Sequence, residues 1–198
     1  MTYVGSSVPR VEDGPLLTGT GCFVDDLGRG RQLTARIVRS DVASGRLVAV
    51  DTEAARSRPG VTAVITADDI PDVRIPVRMM PSEEAEAVTQ PPLARGVVRY
   101  VGEPVAVVLA EDAYAAEDAA GDVVVEIEPT APLLDGPSAA GPDAVALHAE
   151  ARNGNVINTL RSRWGRDADA LLEEADVVVR DRLRVQRHAA IPLETRGL

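Results

Sequence analysis

The sequence predicts an α+β domain, with short helices packed on β-sheet, followed by part of a second domain. Three observations carry this. A strand–helix–strand pattern occurs twice, around residues 46–65 and 105–127. The unbroken apolar run from Val105 to Ala110 has the length and composition of a strand covered on both faces. Apolar residues make up 45% of the 198-residue chain but aromatics only 3%, so a core is affordable and must be filled by Val, Leu, Ile and Ala. Alternation of strands with short helices argues for a mixed, layered structure.

Taken in order, residues 1–30 are rich in glycine and proline and show little periodicity, which suits an extended arm. Gln32 to Val38 alternates as a strand does. Arg46 to Val50 is a second strand. Asp51 or Thr52 can cap a short helix through Ser57, stopped by Pro59-Gly60. Val61 to Ile65 is a third strand, and Thr66-Ala67-Asp68-Asp69 has the form of a capping box. Prolines at 71, 76, 81, 91 and 92 then exclude a long regular element, and Glu83-Glu84-Ala85-Glu86 reads as a solvated loop rather than a helical turn. Gly102-Glu103-Pro104 punctuates the chain before the Val105–Ala110 strand. Asp112 caps an alanine-rich helix that Gly121 ends, and Val123 to Ile127 is the next strand. Prolines at 129, 132, 137 and 142 mark a linker. Beyond it the patterning predicts a strand over Val156 to Trp164, a helix over Asp167 to Glu174 and a final strand over Val177 to Val185. That last strand would carry Arg180, Arg182 and Arg184 on one face.

Composition removes several classes of function. With 31 acidic and 21 basic residues the formal charge is −10, which argues against nucleic acid and anionic membrane as partners. Every basic residue is Arg, so a Schiff-base or phosphate-loop lysine is excluded within this chain. Cys22 is the single cysteine. It permits no internal disulfide and no thiolate cluster, and it reads as a small buried apolar residue. No stretch approaches the roughly 20 apolar residues of a membrane span, and the N-terminus lacks the features of a secretory leader, so the expected location is the cytoplasm. Gly19-Thr20-Gly21 and Gly28-Arg29-Gly30 read as turns and complete no dinucleotide fingerprint. His148 and His188 have no second ligand at metal-binding spacing. Asp25-Asp26 reads as a turn cap, since two adjacent carboxylates make no cage. No catalytic, cofactor-binding or metal-ligating residue is therefore assigned.

A resemblance adds to this. Arg99-Tyr100-Val101-Gly102-Glu103-Pro104-Val105-Ala106-Val107-Val108-Leu109-Ala110-Glu111 resembles the a/b hammerhead region of the molybdopterin-binding large subunits of the xanthine dehydrogenase and aldehyde oxidase family. Blocks in the family's order surround it: 5–13 (Gly5-Ser6-Ser7-Val8-Pro9-Arg10), 17–26 (ending Val24-Asp25-Asp26), Val38-Arg39-Ser40, 51–55, 59–71 (Pro59-Gly60-Val61 to Asp68-Asp69-Ile70-Pro71) and Gln186-Arg187-His188. Pro192-Leu193-Glu194-Thr195-Arg196-Gly197 resembles the branch containing carbon monoxide dehydrogenase.

The resemblance implies a hammerhead-type mixed sheet, with an arm over 1–30, the hammerhead domain over 31–135, a linker over 136–155 and the start of a molybdopterin-binding domain over 156–198. It implies a structural and substrate-channel contribution to oxidative hydroxylation at a molybdenum–molybdopterin centre, with water supplying the oxygen. Iron–sulfur clusters and FAD would sit on partner chains. The remainder of the molybdopterin-binding subunit would be a further partner. The family's catalytic glutamate and metal-side glutamine have no counterpart in residues 1–198, so the chain alone is expected to carry no molybdenum cofactor and to be inactive, as a fragment or split subunit would be. By position, the loop after Asp69-Ile70-Pro71 would reach the substrate entrance, with Val77, Met79 and Met80 as a flexible apolar wall. The alternative is a free-standing, non-catalytic interaction module or a gene fragment.

Overall fold

The computed structural model describes residues 3–28, 30–76, 83–186, 188–192 and 194. It divides into two units, Met1–Gln32 with Asp169–Leu198, and Leu33–Ala168. In the first unit, α1 spans Asp13–Leu17. Val24–Asp26 forms a 3-10 turn in which the Asp26 carboxylate accepts the Phe23 N–H at 2.8 Å, the turn cap that the aspartate pair suggested. Cys22, expected to be buried, is exposed; the bonds of its segment are local and bring no core over it.

Among the described residues the second unit holds six strands in two three-stranded sheets. β1 (Thr34–Arg39), β3 (Val61–Thr66) and β5 (Pro104–Ala110) form one, in the order β1-β5-β3. β2 (Gly45–Asp51), β4 (Val97–Val98) and β6 (Val124–Pro129) form the other, in the order β4-β2-β6. Every pairing is antiparallel. The α+β class stands, but the single mixed sheet is corrected to two antiparallel ones. The reason lies in the connections. Short α2 (Glu53–Arg56) carries the chain from β2 in one sheet to β3 in the other, and α4 (Ala113–Gly121) carries it from β5 to β6. Neither unit is a crossover within one sheet, although both look alike in sequence.

β5 is the central strand of its sheet, with Ile37 and Ile65 both opposite Val107. That placement answers its apolar run. Ala106, Val108 and Ala110 are fully buried on it. The core around it joins Ala55, Val64, Ala106, Val108, Ala119 and Val123, and a second cluster joins Ala94, Val98 and Val105, with Val50 and Val125 touching both. Small side chains let α4 lie close on the sheet through Ala116 and Ala119, and the Asp112 carboxylate caps it by accepting the Ala115 N–H at 2.8 Å.

Other expectations change. α3 (Glu83–Ala87) is a helix where a solvated loop was expected; Ala85 is buried in it and Val88 follows one turn on, so one face has something to pack on. α5 (Gly136–Ala139) interrupts the linker, capped by Asp135. The segments 156–164 and 177–185 are not strands among the described residues, although α6 (Ala168–Glu173) between them matches its prediction. Alternation shows that two faces differ, but a strand also needs a strand beside it, and among the described residues neither segment is paired into a sheet. Trp164, Val177, Val179, Leu183 and Val185 are accordingly exposed. Val77, Met79 and Met80 lie outside the described residues.

Candidate functional site

The best-defined polar site begins at the turn between β4 and β5. Gly102 sits at φ +91°, a conformation open to glycine. The turn is tied on both sides: Gly102 N–H donates to Ser40 O at 2.7 Å, Ser40 N–H to Glu103 O at 2.9 Å, and Ala94 N–H to Pro104 O at 2.7 Å. Arg39 Nη1 adds a bond to Gly102 O at 2.9 Å. Glu103 is only 2% exposed, the largest of the fully buried side chains. Its Oε2 accepts the Arg99 backbone N–H at 2.5 Å, and its Oε1 lies 3.5 Å from Arg99 Nη1. Burial pushes the Glu103 carboxyl above its ordinary range, against the opposing pull of the Arg99 N–H and guanidinium. Arg99 Nε is buried and has no hydrogen-bond partner.

A pocket of about 370 Å³ lies in the same unit, lined by Val88, Thr89, Gln90, Leu147, His148, Gly154, Asn155 and Ile157. Its two walls come from distant parts of the chain. Gln90 is positioned by a bridge to Ile75, whose N–H donates to Gln90 O at 2.8 Å. The opposite wall is held by Asn155. Its Oδ1 accepts the Leu147 N–H at 2.8 Å, and its Nδ2 donates to Ala139 O and Val145 O at 3.0 and 2.9 Å. His148 is half-buried, and its imidazole is held below its ordinary pKa by burial first, then by the charges of Arg99 and Arg74, with Glu150 opposing. The imidazole is therefore neutral at physiological pH.

Neither feature was assigned from sequence. Glu103 was read as punctuation, and His148 only as lacking a second ligand at metal-binding spacing. The signal that could have found Glu103 is an acidic residue four after Arg99 and flanked by buried Val98 and Val105. Nothing local connects Gln90 to His148. Among the described residues no three His, Cys, Asp or Glu side chains lie together as a metal site would require.

A family profile described as "Aldehyde oxidase and xanthine dehydrogenase, a/b hammerhead domain" matches residues 18–131, more than half of the chain. The chain belongs to this family. Among aldehyde oxidase and xanthine dehydrogenase relatives, the nicotine 6-hydroxylase large subunit of Paenarthrobacter nicotinovorans is 40% identical over 98% of this chain and 24% of its own length. The structure of the Cu,Mo-CO dehydrogenase in its carbon monoxide reduced state matches 71% of this chain and 17% of that one, with TM-score 0.59 and 35% identity. The aldehyde oxidoreductase of Desulfovibrio gigas matches 87% of this chain and 19% of that one, with TM-score 0.71 and 28% identity. The chain spans about a quarter of the length of the curated relatives it matches. Within this family the Gly102-Glu103-Pro104 turn and β5 fall inside the matched hammerhead region.

Proposed function

We propose that this chain forms the hammerhead part of the large subunit of a molybdenum hydroxylase, an oxidoreductase that hydroxylates its substrate at a molybdenum–molybdopterin centre. The observation that carries the reading is 40% identity over 98% of the chain to a hydroxylase large subunit, with the hammerhead match lying across both sheets. Among the described residues no His, Cys, Asp and Glu side chains gather into a metal-ligating cluster. What this chain's own residues do is structural: β5 anchors one sheet, the Glu103–Arg99 clamp fixes the turn that joins the sheets, and Arg95 ties the segment before β4 to Ala67, Asp68 and Ile70 after β3.

The finer parts of the reading rest on the family resemblance. Residues 31–135 are the hammerhead domain, 1–30 an arm, 136–155 a linker and 156–198 the start of a molybdopterin-binding domain. Val77, Met79 and Met80 form part of the substrate entrance. The remainder of the large subunit, an iron–sulfur subunit and an FAD subunit are the partners, and the cytoplasm is the location. No helix among the described residues is long and apolar enough to cross a membrane.

Cross-linking followed by mass spectrometry on the protein purified from its host tests this. Peptides carrying residues 31–135 should cross-link to large-subunit sequence bearing molybdopterin and to iron–sulfur and flavin polypeptides. Recovery of the chain with none of these would overturn the reading.

A further inference from the structure

We propose that Asn153-Gly154 is a site of spontaneous deamidation, and that its isoaspartyl product loosens the turn that Asn155 braces. The chain has three asparagines, Asn153, Asn155 and Asn158, and only Asn153 precedes a glycine. The reaction needs no reagent but water. The Gly154 backbone nitrogen attacks Asn153 Cγ, so that an N–Cγ bond forms and the Cγ–Nδ2 bond breaks. The proton of the Gly154 nitrogen leaves with the amide group as ammonia, and a five-membered imide remains. Water then opens the imide at either carbonyl, giving aspartate or isoaspartate. Nothing is oxidised or reduced.

The surroundings of the three asparagines single out this pair. Asn153 and Gly154 are both exposed, in the turn over 152–155. Neither the Asn153 side-chain amide nor the Gly154 N–H makes a hydrogen bond among the described residues. Gly154 sits at φ +59°, and a Cβ built on it would meet nothing within 4 Å. The attacking nitrogen is therefore uncrowded and open to water. Asn155 differs in each respect. Its amide is held by Leu147, Ala139 and Val145. The nitrogen that follows it belongs to Val156 and donates to Asn153 O at 3.2 Å. Asn158 is exposed, but the nitrogen after it belongs to Thr159, whose branched Cβ crowds the approach.

The product changes what the turn touches. Arg152 Nη1 lies 3.3 Å from Glu83 Oε2, and Asn153 lines a cleft of about 250 Å³ together with Glu84. A carboxylate at position 153 adds negative charge beside these acidic groups of α3. Isoaspartate does more, because it routes the chain through Cγ and adds one methylene to the backbone two residues before Asn155. The Asn155 amide then no longer meets Leu147, Ala139 and Val145 together, and the Leu147 N–H loses its acceptor at 2.8 Å.

The test is timed incubation of the full chain at physiological temperature over a pH series, followed by trypsin digestion and tandem mass spectrometry. Cleavage after Arg152 and Arg161 releases residues 153–161 with all three asparagines in one peptide. A zero-time sample digested in parallel subtracts conversion during digestion. Conversion at Asn153 should be at least about tenfold faster than at Asn155 or Asn158. It should accelerate as pH rises, because the attacking nitrogen must give up its proton. Asn153→Gln, whose longer side chain closes the ring poorly, should abolish it. If Asn153→Gln does not fold, the comparison among the three native asparagines still decides. Hydrogen exchange then reads the brace: the Leu147 amide should exchange at least about threefold faster in aged protein than in fresh. Asn153→Asp, which brings the charge without the extra methylene, should change it less. Conversion at Asn153 no faster than at the other two, or insensitive to pH, would overturn the site. Unchanged Leu147 exchange in fully converted protein would overturn the loosening.

Discussion

Replacing Glu103 separates what its shape contributes from what its charge contributes. In Glu103→Ala the Arg99 backbone N–H loses its acceptor at 2.5 Å in a site that is 2% exposed. An unsatisfied buried donor costs about 1–3 kcal/mol. The void left by the carboxymethyl group adds about 1 kcal/mol. The expected loss is about 2–4 kcal/mol. Glu103→Gln keeps an oxygen for that N–H and keeps the volume. It removes only a charge that the site already disfavours, since burial holds the Glu103 carboxyl above its ordinary range. The folded state therefore binds this proton more tightly than the unfolded chain does. Stability linked to it is fully present below the ordinary carboxylate range and is lost as pH rises through the raised folded value. Glu103→Gln should lack that slope, match the wild type within about 1 kcal/mol in acid, and be no less stable near neutrality. Urea unfolding followed by circular dichroism across a pH series measures all three. The reasoning fails if Glu103→Gln is as damaging as Glu103→Ala, for then the ion pair with Arg99 holds the turn. It also fails if Glu103→Ala costs less than about 0.5 kcal/mol, the size of a surface change.

Two further substitutions test the packing. At Gly45 a Cβ would stand 2.5 Å from Ile127 Cγ2 and 2.6 Å from the Glu128 carbonyl oxygen, and backbone cannot yield as a side chain can. Gly45→Ala should therefore cost about 1–3 kcal/mol in urea unfolding, and an unchanged midpoint would show that β2 and β6 are not this close. Asp112→Ala removes the cap on the Ala115 N–H and should cost about 1 kcal/mol, with Asp112→Asn restoring most of it; equal loss in both variants would argue that the charge and not the cap matters.

What could be read in advance was what is local. β5 announced itself by six consecutive apolar residues, and α4 by a capping aspartate followed by alanines. The turn at Thr66–Asp69 carries the capping box its letters suggested. The division into two sheets was not legible, because β2–α2–β3 and β5–α4–β6 look the same whether a helix returns to its own sheet or crosses to another. Val177–Val185 shows the converse error: its alternation is real, but pairing depends on a neighbour that the segment's own letters do not encode. Cys22 was misjudged because residue type predicts burial only where a core exists to receive it. The pocket was invisible for a similar reason, since Gln90 and His148 meet only through the Ile75 bridge and the Asn155 brace.

The reading of this chain as the hammerhead part of a molybdenum hydroxylase is tested most directly by metal analysis of the protein purified from its host in its native assembly. The account predicts one molybdenum, with molybdopterin, per copy of this chain. A homogeneous, folded preparation containing this chain and no molybdenum would contradict it and favour a free-standing interaction module.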